Sequence, residues 1–209
     1  MAILVLLAAP LLGSEAPRVD VGQFSRGSLE GWEVERFQGE TRYALVEQDG
    51  TRMLRGSASA SASGLVRKIT VDLRRTPILN WSWKTTALPH AANEREKSGD
   101  DFALRIYVVI SGGVFFWQTR ALNYVWSARE PVDSTWPNPF TANATMLVVE
   151  SGPGALNQWR HYRRDLRADI MAHLGLEPGQ IDAVALMVDT DNSGTTALSY
   201  FGDIYFSAE

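Results

Sequence analysis

The chain has 209 residues and no cysteine, with 24 acidic side chains against 20 basic ones, a net charge of -4 and a pI near 5.5. That length suits one domain with a full-sized core, and the acidic balance gives no general attraction to nucleic acid or anionic lipid. Without cysteine, thiolate catalysis, disulfide framing, cysteine zinc sites and an amino-terminal lipobox are excluded together.

Residues Met1 to Ala16 form an apolar run ending in small residues. The run is too short for a bilayer anchor and has the grammar of a signal peptide, although no basic residue precedes it and Pro17 follows the most obvious cleavage point. The expectation is an exported protein, periplasmic or secreted, whose mature chain 17–209 is a single domain with no transmembrane anchor.

Beyond the leader, hydrophobic residues alternate with period two, the mark of strands that bury one face. Candidate strands run over 32–37, 42–48, 53–57, 64–71, 79–84, 102–110, 115–124, 145–150, 159–166, 181–188 and 198–207. Asp49-Gly50, Gly112-Gly113, Gly152-Pro153-Gly154 and Asn192-Ser193-Gly194 supply the turns between them. In the strand over 79–84, Leu79, Trp81 and Trp83 share one face, and Asn80, Ser82 and Lys84 the other. One segment departs from the pattern. Leu166, Ile170, Met171 and Leu174 recur at helical spacing, with Asp165 placed to cap the start and Gly175 to stop the end. Many short strands with one short helix near 166–174 predict an all-β fold, an antiparallel two-sheet β-sandwich of jelly-roll type.

Several motifs occur in order: Phe24 to Trp32, Leu79 to Lys84, Gly99-Asp100-Asp101-Phe102, Leu122 to Trp126, Ser151-Gly152, Trp159, Asp189 to Asn192 and Phe201 to Ile204. Together they resemble a bacterial exported family catalogued as domain of unknown function 3047, over nearly the whole mature chain. Gly31-Trp32, the Trp159 to Leu166 step and the Gly202-Asp203-Ile204 close also look like galactose-binding-like jelly rolls, which include many carbohydrate-binding modules. The first resemblance implies no established activity, and the second implies an architecture.

Candidate site residues fall in three groups. Tyr124, Trp126 and Trp136 are aromatic rings beside the polar loop 127–134, and rings of this kind stack on sugar faces when exposed. Lys84, Asp101, Arg105 and Asn123 would hydrogen-bond the same ligand, a glycan or cell-envelope component. Asp100 or Asp101 paired with Glu150 would provide the two carboxylates of a polysaccharide-active enzyme, since adjacent strand residues cannot both face one cleft. Asp189, Asp191 and Ser193 space oxygen atoms as the first half of a calcium loop does, making a structural calcium the candidate cofactor. Tyr200 stands where a complete calcium loop of the EF-hand type needs glutamate. The leading expectation is non-catalytic glycan or envelope binding, with a glycan-cleaving enzyme and a scaffold for protein partners as alternatives.

Overall fold

The computed structural model describes residues 16–90, 93–112 and 118–209. Residues 1–15 of the expected signal peptide, and Phe115 to Trp117 at the start of the candidate strand over 115–124, lie outside the described residues. Fourteen strands and one α-helix occur among those described. They are β1 (Arg18–Gly22), β2 (Trp32–Gln38), β3 (Arg42–Gln48), β4 (Thr51–Ser59), β5 (Ala62–Asp72), β6 (Ile78–Thr85) and β7 (Arg105–Ile110). There follow β8 (Arg120–Ser127), β9 (Thr135–Asn138), β10 (Thr141–Ser151), β11 (Arg160–Asp165), α1 (Leu166–Leu174), β12 (Gln180–Asp189), β13 (Thr196–Phe201) and β14 (Ile204–Ser207).

Two seven-stranded sheets pack face to face. The first has the order β1-β14-β6-β13-β4-β3, with β11 on the opposite edge of β6; the second has the order β2-β5-β12-β7-β8-β10-β9. Pairing is antiparallel except between β8 and β10, which run parallel. The fold is the expected β-sandwich with this one parallel ladder added, joined by the excursion of the chain through β9.

The period-two faces resolve as the burial pattern demands. Leu79, Trp81 and Trp83 from the first sheet meet Ile106, Val108, Leu122, Tyr124 and Trp126 from the second. Trp81 stacks on Tyr162 at 4.8 Å between ring centroids and lies 5.1 Å from Tyr124, so the aromatic supply fills the centre of the sandwich.

Helix α1 takes the expected bounds. The Asp165 carboxylate accepts the Ala168 N–H at 3.0 Å, and Gly175 turns left-handed with φ 64°. Leu166 and Ile170 are buried, whereas Met171 is half exposed. The helix is tied down by a polar clasp in which Asp169 accepts from the Tyr124 hydroxyl at 2.6 Å and from Arg164 at 2.6 and 2.8 Å.

Three departures from the sequence expectation have local causes. Phe102 to Leu104 do not join the ladder of β7, because Asp100 to Leu104 bend across the end of the sheet to meet Asp189 and Trp126. The run over 198–207 breaks at Gly202-Asp203, where Asp203 accepts from the Ser25 N–H at 2.8 Å and its hydroxyl at 2.5 Å. Strand β9 contains Pro137 and sits at the sheet edge, where a missing N–H costs no ladder bond.

Candidate functional site

On the face of the second sheet turned away from the core lies a cleft of about 410 Å³. The register that sends Val184, Leu186 and Val188 inward leaves Ala185 and Met187 outward, and pairing aligns them with Tyr107 and Arg105 of β7. Val66, Val109, Ala144, Ala185 and Met187 give the cleft an apolar floor. Phe37 at the end of β2 and Phe140 after β9 line it with rings that are 69% and 57% exposed. Phe140 is held in place by Asn138, whose side-chain oxygen accepts the N–H groups of Phe140 at 3.0 Å and Thr141 at 3.2 Å.

One end of the cleft is polar, built on Arg105, a fully desolvated guanidinium that is 2% exposed. Its Nε donates to Asp189 at 2.8 Å, and an NH2 group donates to the other oxygen of the same carboxylate and to the Asp100 carbonyl. The remaining nitrogen donates to Asp100 Oδ2 and to the Tyr107 hydroxyl, each at 3.2 Å. Such a fork-to-carboxylate pair fixes geometry as well as charge. Asp101 turns the other way. It accepts from the N–H groups of Asn192 at 3.2 Å and Ser193 at 2.6 Å and from the Asn192 side chain at 3.1 Å, which pins the loop after β12.

The carboxylates here are crowded. Asp101, Asp189 and Asp191 bring oxygen atoms within 4.8 Å of one another, close enough to hold a metal ion. Burial pushes the Asp189 carboxyl up to about 7; Arg105 pulls it down, and the negative charges of Asp100 and Asp101 push it further up. Burial and Asp101 also raise Asp191. The Ser193 hydroxyl is bonded to Thr195 at 2.7 Å, and Asp101 joins Asp189 and Asp191 in the carboxylate trio.

The residues singled out in the sequence converge only in part. Asp100, Arg105, Asp189 and Asp191 line the cleft. Tyr124 and Trp126 do not, because even-numbered residues of β8 face the core, where both rings are fully buried. Trp126 donates its indole N–H to the Gly152 carbonyl at 3.0 Å. Trp136 is buried in a satellite cluster against Phe102 and Val125, so none of the three expected stacking rings is open to a ligand. Asn123 is completely buried, its amide turned to the Met146 sulfur. Lys84 belongs to the other sheet, over the rings of Tyr200 and Trp159, because its alternation on β6 points it away from the core on that side.

Glu150 is likewise separated from Asp100 and Asp101. An irregularity after Val148 sets Glu150 opposite Trp126, and there Arg160 at 2.6 Å and Tyr162 at 2.8 Å, both from β11 of the first sheet, bind its carboxylate. The expected catalytic pair therefore does not face a common cleft. Phe37, Tyr107, Asn138 and Phe140 were not anticipated. The Pro137-Asn138-Pro139-Phe140 sequence was the available signal, since an Asx turn followed by a ring places that ring at a loop tip.

Fold and cleft together define a jelly-roll β-sandwich with a preformed, ring-flanked recess on one outer sheet face. The chain belongs to the family described as protein of unknown function, DUF3047, which matches residues 30–205. A sequence search of curated proteins gave no match. Among solved structures, the chain is similar to the family 11 carbohydrate-binding module of the cellulosomal cellulase Lic26A-Cel5E of Clostridium thermocellum. The TM-score is 0.51 at 10% identity, with 94% of this chain and 97% of that one covered. It is also similar to a thermostable cellulase derived from Cel12A of Rhodothermus marinus, with a TM-score of 0.50 at 11% identity and coverage of 90% and 100%. At these identities the likeness concerns the fold.

Proposed function

We propose that this protein is a non-catalytic glycan-binding β-sandwich that works outside the cytoplasm and holds its ligand in the outer-face cleft of the second sheet. The observation that carries the proposal is the exposure of Phe37 and Phe140 at a preformed recess whose far wall is polar. Two rings at an apolar floor receive the flat faces of sugar units, and the polar wall receives hydroxyl groups. The sandwich architecture is shared with a carbohydrate-binding module and a cellulase, which supports a polysaccharide as the ligand class.

Titration of the full chain against a panel of soluble oligosaccharides by calorimetry tests this proposal. Binding is expected for at least one glycan, and Phe37→Ala and Phe140→Ala should each weaken it by roughly tenfold, the range found for a stacked ring. Binding that ignores both substitutions, or no binding to any glycan, overturns it. Release of reducing ends from a polysaccharide on incubation would instead establish an enzyme.

Three clustered carboxylates also favour a structural calcium at Asp101, Asp189 and Asp191. The engagement of both Asp189 oxygens by Arg105 opposes it. A rise in the unfolding temperature on adding millimolar calcium, lost in Asp191→Asn, would establish the ion.

A further inference from the structure

We infer that the acidic end of the cleft is a seat for an organic ammonium group, so that the glycan selected by this protein carries a free amino sugar. The inference rests on the glycan proposal above and names the chemical class of its ligand.

Charge is out of balance at this end. Asp100, Asp101, Asp189 and Asp191 stand together, and the only cation hydrogen-bonded to any of them among the described residues is Arg105. Three of the four carboxylates are almost completely buried, where water cannot disperse the surplus negative charge. Asp189 spends both oxygens on Arg105, and Asp101 spends both on the loop amides. Asp100 is 4% exposed and lines the cleft, yet its Oδ1 has no hydrogen-bond partner; its Oδ2 is held by Arg105 and by Asn138 at 3.1 Å. A buried acceptor left without a donor costs free energy that an incoming donor recovers. Asp191, the part-exposed member of the group, also lines the cleft, and its only side-chain donor among the described residues is its neighbour Asn192 at 3.3 Å.

A primary ammonium brings one positive charge and three donors. A calcium ion would need six to eight oxygens, and most of those present are already occupied. The cleft also specifies what the ammonium is attached to. Phe37, Phe140, Val66 and Met187 lie along the same recess, which fits a flat body with apolar faces and not a flexible polyamine. A sugar ring with an unacetylated amine combines the two features.

The test compares three hexasaccharides by calorimetry with the full chain: a glucosamine oligomer, its N-acetylated counterpart and a neutral β-glucan. The glucosamine oligomer should bind at least tenfold more tightly than the other two. Asp191→Asn should abolish that preference while leaving the circular dichroism and unfolding temperature close to those of the parent. Equal affinity for the neutral oligomer and the glucosamine oligomer overturns the ammonium seat and leaves the glycan proposal standing; absence of binding to any sugar overturns both. Equal affinity for hexalysine, retention of the preference in Asp191→Asn, or displacement of the glucosamine oligomer by millimolar calcium each also overturns the seat.

Discussion

At the residue scale, Arg105 holds the cleft end together. Its guanidinium is shared between Asp189 and Asp100 in a site that water does not reach. Replacing it with Met would fill similar volume but leave two buried carboxylates without a counter-charge. Removing one partner of a buried pair costs about 3 to 5 kcal/mol, so Arg105→Met should lower chemical-denaturation stability by about that amount, whereas Arg163→Met on the exposed edge strand β11 should have little effect.

Asp189 has a signature of its own. Its folded pKa of about 7 lies above the ordinary 3.8, so between those values the folded state keeps a proton that the unfolded state has released. By linkage, stability then falls as pH rises from about 4 to 7 and levels off above that window. Asp189→Asn cannot titrate, so the difference in unfolding free energy between parent and variant should change across this range and be flat above it. A difference that is constant from pH 4 to 8 would contradict the shift.

At the scale of elements, the segment between β6 and β7 sets the polar end of the cleft. Gly99 stands where an added Cβ would lie 2.2 Å from the Asn93 carbonyl oxygen, a backbone atom that cannot turn aside. Gly99→Ala should therefore displace the 93–101 segment, and with it Asp100. We expect a loss of about 2 kcal/mol in stability, within the range for overpacking, together with weakened ligand affinity, read by thermal denaturation and calorimetry. Glu94 lies in the same segment, where its buried carboxylate accepts from the Ser127 hydroxyl and from the Ala128 N–H at 2.7 Å, joining the segment to the loop after β8. The helix is a more local matter. Asp165→Ala should cost about 1 kcal/mol through the lost cap and leave the cleft unaffected.

At the scale of the whole molecule, the sandwich divides labour between its faces. The core takes the rings of Phe24, Trp81, Trp83, Tyr124, Trp126, Phe201 and Phe206, and the outer face of the second sheet carries the recess. Export of this molecule, proposed from the leader, predicts a mature chain beginning near Pro17 in the extracytoplasmic fraction, checked by intact mass after expression with the native leader. A mass that includes residues 1–16 would refute cleavage there.

Local chemistry in the sequence was enough to determine the strand-rich class, the helix over 166–174 with its Asp165 cap and Gly175 stop, and most turns. These features depend on neighbours within a few positions, through backbone dihedral preference, capping and alternation. Period two shows that Tyr124 and Trp126 share a face, but a two-faced strand reads the same whichever side meets the other sheet. Only the packing of the sheets decided that those rings fill the core, that Lys84 and Glu150 belong elsewhere, and that Phe37 and Phe140, separated by a hundred residues of chain, flank one recess. Side-chain orientation toward core or solvent is settled by which surfaces bury the most apolar area together, and that is a property of the assembled sandwich.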